Sequence, residues 1–496
     1  MEAEKMKKVL SFDFGASSGR AMIATYENGK IDMREIHRFS NDPVIVRGRM
    51  YWDTLRLFFE IKAGITKAVN DGGFDAISID TWGVDFGIID SKGNLMGNPY
   101  HYRDSRTDDI LERVYNDYIS KDDLYARTGI QCMRFNTIYQ LMYLKYEEPE
   151  VLERVDKFLL TPDLFAYFLT GEKRAEVSIA STTNLLDPHT KDWDFQLIEK
   201  LGLPKSIFAP IIKPGEIYGT LSDEICEELG CNKVPVIASC GHDTASAVAA
   251  TPSESDDFVY ISCGTWSLFG IENKTPILND EAKNAEFTNE AGFDNTTRFL
   301  KNIIGLWLIQ ESRRQWKREG LDLGFDVLEK EALSAEPFKC FIDVDAPGFD
   351  IAGNLPKRVC EYCEKTGQYV PQNRGEIMRC IYQSLAMKYK YTFNSLEKLS
   401  NRKYDSINIL GGGIKDKLLC QLTADACNVN VLAGPTEATV MGNIAVAYHA
   451  LGELENLKEI RKAVSNSTEL KVYTPQNSDK WNEAYKEYCK VTGIKE

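Results

Sequence analysis

The sequence predicts an α/β protein assembled from two related halves. Strand-like and helix-like patterns mix along the whole chain, which indicates the class. A glycine loop between two β-rich runs occurs twice, and its leading glycines, Gly15 and Gly264, lie 249 positions apart in a chain of 496 residues. An offset of half the length suggests duplication. The two loops share few identical residues, so two unrelated strand loops remain the competing reading.

The first pattern is a β-rich run, 8–14, a Gly/Ser loop over 15–19 and a second β-rich run that ends at Asn28-Gly29. Asn-Gly between apolar runs is a strong hairpin signal, so the loop joins two strands. Residues 258–274 repeat this grammar around Gly264-Thr265-x-Ser267. A third feature is a buried-strand pattern over 406–410, the glycines Gly411, Gly412 and Gly413, and a helix with Leu418, Leu419 and Leu422 on one side. A longer helix is expected over 375–399, with Ile377, Ile381 and Leu385 at four-residue spacing. Near position 250 an alanine-rich helical pattern gives way to Thr251-Pro252-Ser253, which places the boundary between halves 1–251 and 252–496.

Composition narrows the functional classes. With 43% hydrophobic and 27% charged residues, the chain can bury a core without staples. A net charge of −15 argues against a nucleic-acid partner, which needs a basic stripe. It leaves small anions open, because backbone N–H groups and helix N-termini bind them. The start has no apolar signal region, and the longest apolar run, around 303–309, is far short of a membrane span. A soluble cytoplasmic protein with no membrane partner is expected; oligomeric state is left open. The twelve cysteines form no tight framework, and Cys360-x-x-Cys363 lacks the second pair a zinc site needs, so reduced thiols are expected.

Several motifs offer chemistry. Gly15-Ala-Ser17-Ser-Gly19 has the spacing of a hydrolase nucleophile elbow, but a strand follows it where a helix is required. Asp-Phe-Gly occurs twice, at 13–15 and 85–87, without the other protein-kinase signatures, and there is no P-loop. What remains is an anion cradle: the small residues of 15–19 let backbone approach a phosphate, Ser17 and Ser18 can donate, and Arg20 adds charge. Gly264, Thr265 and Ser267 could act similarly, although either loop could equally be a plain turn. His242-Asp243-Thr244 follows a buried strand and opens an alanine-rich helix, the place where α/β sheets bind ligands. Asp243 could alternatively be a helix cap. Asp80-Thr-Trp82-Gly83-Val-Asp85 marks another strand end, where Trp82 could pack on a sugar or in the core. His101-Tyr-Arg103-Asp104-Ser-Arg106 could be a polar cluster or a solvated loop with weak surface ion pairs.

Taken together, 13–20, 48–53, 79–87, 101–107, 135–141, 241–247, 262–267, 300–308 and 433–438 resemble, in order, the phrases of the FGGY family of carbohydrate kinases, and most closely its branch acting on L-rhamnulose. The resemblance implies two actin-like, ribonuclease H-like ATPase domains flanking a central cleft: residues 1–251 holding the sugar and first phosphate loop, and 252–496 binding the nucleotide. It implies ATP and Mg2+, with Ala16, Ser17, Ser18, Gly19, Arg20 and Thr265 at the phosphates and Gln310 and Gly412 on the nucleotide side. Gly83, His242, Asp243, Thr244 and Asn302 would line the ketose, with Asp243 as catalytic base, and Asp13 would orient magnesium through water. The implied reaction is transfer of the ATP γ-phosphoryl group to the 1-hydroxyl of L-rhamnulose. L-fuculose or another ketose is the near alternative; a non-catalytic actin-like nucleotide-binding protein is the distant one. Ile414-Lys-Asp416 departs from the polar residues often found after the third glycine in related enzymes.

Overall fold

The computed structural model describes residues 6–476 and 478–494. It divides into two compact units. The first comprises the chain through Glu254 together with Glu272–Phe299 and Ala438–Thr468; the second comprises Ser255–Ile271, Leu300–Glu437 and the chain from Glu469 onward. Two later segments thus return to the first unit.

The sheet of unit one contains β1 (Lys8–Phe14), β2 (Ser18–Glu27), β3 (Lys30–Ser40), β4 (Ala76–Thr81), β5 (Ile217–Thr220) and β6 (Pro235–Ile237) in the order β5-β6-β4-β1-β2-β3. The expected hairpin joins β2 to β3, with Asn28 and Gly29 both at positive φ (53° and 76°), as a two-residue primed turn requires. In the second sheet, β7 (Val259–Cys263), β8 (Trp266–Asn273), β9 (Thr297–Ile304), β10 (Ser406–Leu410), β11 (Asn430–Ala433) and β12 (Lys471–Tyr473) run β9-β8-β7-β10-β11-β12, with a seventh strand, Thr288–Ala291, on the outer edge of β9.

Apart from the edge strand Thr288–Ala291, the two orders correspond strand for strand. β1 and β7 each pair antiparallel with the next strand in sequence and parallel with β4 and β10. Outward from there, β6 and β11 pair parallel, and β5 and β12 antiparallel. Even the loops close alike: the Gly15 N–H donates to the Ser18 carbonyl at 2.9 Å and the Gly264 N–H to the Trp266 carbonyl at 2.8 Å. The duplication suggested by glycine spacing is thus built into both sheets.

Alternation along β1 and β4 sorts side chains to the two faces. Leu10, Phe12, Phe14, Ile77 and Ile79 pack with Leu57, Ile61 and Ile65 of helix Thr54–Asn70. Val9 and Ala76 face the other way, into a core with Ala245 and Ala249 of helix Asp243–Ala249 and Val440 and Ile444 of helix Ala438–Ala450. These helices cross so closely that a Cβ at Gly442 would lie 1.8 Å from the Ser246 carbonyl oxygen. Among the described residues, no helix is long and apolar enough to cross a membrane.

Candidate active site

β1, β4 and β6 run parallel, so their carboxyl ends share one edge, where ligands bind in α/β sheets. Asp13 and Asp80 are register partners there, on the face shared with Val9 and Ala76. The Arg20 Nε and Nη2 donate to Asp13 Oδ2 at 2.9 and 2.8 Å. Asp80 is fully buried; Asn443, from helix Ala438–Ala450, donates to its Oδ2, while Oδ1 has no protein partner. Burial and then Asp13 raise Asp80 well above the usual carboxylate range, Asn443 opposes this, and Asp243 adds to it.

Asp243 is the first residue of its helix, after β6. Its Oδ1 accepts from the Thr244 N–H at 2.5 Å and hydroxyl at 3.1 Å. The side chain keeps 33% of its surface exposed, yet protein crowds it closely enough that lost hydration is the largest influence raising its pKa. His242 opposes that rise and Asp13 reinforces it.

The turn carrying His242 and Asp243 is fixed from below. The buried Glu176 accepts the Gly241 N–H through Oε2 at 2.8 Å, and Ser178 Oγ accepts the His242 N–H at 3.3 Å. The His242 Nδ1 lies 3.1 Å from Glu290 Oε2 and its Nε2 3.5 Å from Asp243 Oδ1. Arg298 Nη2 reaches the same Glu290 oxygen at 3.0 Å. Burial alone would raise Glu290; Arg298 and His242 outweigh it and keep the carboxyl below its ordinary range.

Beyond β4 the chain turns through Gly83 and Val84. Val84 sits at φ 68°, a strained conformation for a β-branched residue. The turn is held by Thr182 Oγ1 accepting the Val84 N–H at 3.1 Å and by the Val84 carbonyl accepting from Thr137 Oγ1 at 2.7 Å. It aims Asp85 into a buried cage, where Oδ2 accepts from Trp52 Nε1 (2.6 Å), Trp82 Nε1 (3.0 Å) and the Tyr102 N–H (3.1 Å). Burial pushes Asp85 up to about 6 despite these bonds. Trp82 packs on Trp52 with ring centroids 4.1 Å apart at a 35° tilt and is 6% exposed, which is core packing. His101, Asp104 and Arg106 are also buried, so the solvated-loop reading of this segment is corrected. The apolar ring wall and Gln140, which accepts from Arg106 Nη2 at 2.5 Å, draw them inside.

Among the residues assigned to phosphate binding, Ala16 and Ser17 form the loop tip, with Ser17 exposed, and Ser18, Gly19 and Arg20 begin β2. Arg20 is committed to Asp13, so its charge is locally balanced. In unit two, Thr265 lies between β7 and β8, and its carbonyl accepts the Gly305 and Trp307 N–H groups at 3.1 and 3.2 Å. Gln310 is on helix Trp307–Arg318, and Asn302 is on β9. Gly411 (φ 81°) turns the chain after β10, and Gly413 must lack a Cβ because one would meet Cys263 Sγ at 2.2 Å. Gly412 between them is exposed and faces open space, as a ligand-approach position would.

Sequence reasoning missed Asn443, Glu176, Glu290 and Arg298. Each is polar and buried, and each acts across a long stretch of chain, so no local spacing marks it. It also missed a cysteine cluster: Cys363 keeps company with Cys340 and Cys380 and not with Cys360.

The family comparison bears on both halves. The model of the "FGGY family of carbohydrate kinases, N-terminal domain" matches residues 8–250 and that of the C-terminal domain residues 259–451. The rhamnulokinase of Bacteroides thetaiotaomicron is 40% identical over 474 residues, 95% of this chain and 97% of that one. That of Bacillus subtilis is 40% identical over 95% of this chain and 96% of its own. The fold is similar to a ligand-bound xylulose kinase from Lactobacillus acidophilus (TM-score 0.82, 19% identity, 98% and 97% of the two chains). It is also similar to Plasmodium falciparum glycerol kinase with ADP (TM-score 0.79, 15% identity, 99% of each chain).

Proposed function

The chain belongs to the FGGY family of carbohydrate kinases, and from that premise we propose that it transfers the γ-phosphoryl group of ATP to the 1-hydroxyl of L-rhamnulose, giving L-rhamnulose 1-phosphate and ADP. The preference for this ketose rests on the rhamnulokinases it resembles over nearly their whole length. The observation that carries the chemistry is Asp243: a partly exposed carboxylate at a strand-to-helix junction, made more basic by its surroundings.

Phosphoryl transfer asks the protein for positioning, charge stabilisation and a base, with little covalent work. Asp243 accepts the proton of the 1-hydroxyl as that oxygen attacks the γ-phosphorus. The Thr244 hydrogen bonds fix its carboxylate, and the Glu290–Arg298 pair fixes His242 beside it. Gly83, His242, Thr244 and Asn302 are assigned to the ketose, the 16–20 loop and Thr265 to the phosphates, and Gln310 and Gly412 to the nucleotide side. The residues at the sheet edge fit a magnesium ion held through water, since Asp80 Oδ1 is buried without a partner and Asp13 and Asp243 crowd negative charge beside it. When bound there, magnesium neutralises phosphate charge, which the protein's net −15 cannot do.

An ADP-release assay with a panel of ketoses tests the reading. L-rhamnulose should give the highest kcat/KM, ahead of L-fuculose and L-xylulose. A faster alternative ketose overturns the substrate, and sugar-independent ATP turnover overturns the kinase chemistry.

A further inference from the structure

Unit two gathers three thiols that the proposed phosphoryl transfer does not use. Cys340 lies in the loop after helix Phe325–Ser334, Cys363 on helix Leu355–Lys365 and Cys380 on helix Arg374–Ser400. They are 5%, 0% and 2% exposed, and their sulfurs all lie within 4.8 Å of one another. Metal–sulfur bonds of ~2.3 Å in a tetrahedron separate the sulfurs by about 3.8 Å, so little movement would close this triangle on one ion.

The hydrogen bonds around the trio hold it in shape. On one side of Cys340, the Phe338 N–H donates to Gln383 Oε1 at 2.8 Å; on the other, the Ile342 N–H donates to Ser384 Oγ at 2.9 Å. Both acceptors are on the helix of Cys380. Gln368, just past Cys363, accepts from the Phe341 N–H and donates to its carbonyl, each at 2.8 Å. Cys340 is therefore bracketed by the helix of Cys380 and by the loop that follows the helix of Cys363, the supporting arrangement a ligand set needs. Cys360 stands apart, with its Sγ directed at the Pro371 carbonyl.

Two further features point to an ion. A cavity of about 10 Å³, room for roughly one water molecule, is lined by Cys340 and Cys380 together with Lys339, Arg379, Glu336 and Glu376. The Arg379 Nε is buried without a hydrogen-bond partner. Three thiolates around a divalent cation leave one net negative charge, which the Arg379 guanidinium would face, whereas Lys339 is already paired with Glu336 at 2.9 Å.

We propose that Cys340, Cys363 and Cys380 form a three-thiolate site for a soft divalent cation, Zn2+ in the first instance, with a cavity water as fourth ligand. Each thiol gives its proton to solvent as its metal–sulfur bond forms, and no electrons are exchanged. The site ties two helices and a loop together.

The test uses the full-length protein, reduced, stripped with chelator and titrated with Co2+ as probe. A thiolate-to-cobalt charge-transfer band in the near ultraviolet should saturate at one equivalent and vanish on adding Zn2+. Cys340→Ser and Cys380→Ser should lose the band while Cys132→Ser keeps it, and all three should retain sugar-dependent ATP turnover. In parallel, wild-type protein dialysed against Zn2+ should release one equivalent when a mercurial caps its thiols, a measurement that needs no folded variant. Absence of the band, its persistence in the two variants, wild-type protein that retains no zinc, or a disulfide within the trio under these conditions would each overturn the proposal.

Discussion

Replacing Asp85 by Asn isolates what it costs to keep an ionised carboxylate in the cage of Trp52, Trp82 and Tyr102. Burial pushes this carboxyl from its ordinary 3.8 up to about 6 in the folded chain. Between those values the folded chain holds the proton and the unfolded chain has released it, so stability falls as pH rises through that window. The gap corresponds to about 3 kcal/mol at 1.36 kcal/mol per pH unit. An asparagine carries no such dependence. Its carbonyl still accepts from both indoles, but its NH2 would face Gln140 Nε2, which donates to Asp85 Oδ1 at 3.3 Å. That conflict adds a pH-independent loss of about 1–3 kcal/mol. Urea unfolding followed by tryptophan fluorescence reports the site directly, because two indoles touch the carboxylate. The stability of wild type minus that of Asp85→Asn should shrink by about 2.4 kcal/mol between pH 4 and pH 7, with other titrating groups cancelling. A difference that stays flat, or grows with pH, would refute the reasoning.

Asp243→Asn should lower kcat by roughly 10²–10⁴-fold while leaving KM for the ketose within a few-fold; near-normal steady-state turnover would remove Asp243 as the base. Gly442→Ala should destabilise by about 1–3 kcal/mol, since its Cβ would meet the Ser246 carbonyl at 1.8 Å, whereas Gly412→Ala, with nothing within 4 Å, should leave Tm unchanged and raise KM for ATP. Arg298→Met leaves Glu290 buried without its guanidinium and should cost about 3–5 kcal/mol in chemical denaturation; adding Glu290→Gln should recover part of that loss. Val84→Gly loses a buried side chain but relieves a φ of 68°, so its stability should remain within about 1 kcal/mol of wild type by calorimetry, left-handed strain being worth ~1–2 kcal/mol.

What was legible in the sequence was whatever is written locally. The Asn28-Gly29 turn, the two glycine loops and the junction before Asp243 each follow from neighbouring residues, and each stands where the pattern put it. The triple glycine was half legible: the turn was evident, but only the approach of Cys263 explains why Gly413 must be glycine. Partnerships made by topology were not legible. Asn443 meets Asp80 across 363 positions, and Cys340, Cys363 and Cys380 come from three elements whose packing no period encodes. The His101–Arg106 segment could be read either as a polar cluster or as a solvated loop; what buries it is its contact with Trp52 and Gln140, which adjoining residues do not announce.

The return of helix Ala438–Ala450 to the first unit also governs when that unit can be completed during synthesis. A ribosome that has just emitted Glu254 has made both strands bearing Asp13 and Asp80, yet the helix that covers Val9 and Ala76 and brings Asn443 is still unwritten. At ~5–20 residues per second, the nascent chain waits roughly 10–40 s with that apolar face covered only by helix Asp243–Ala249. The acidic edge of the amino-terminal half is thus finished only by residues that arrive late.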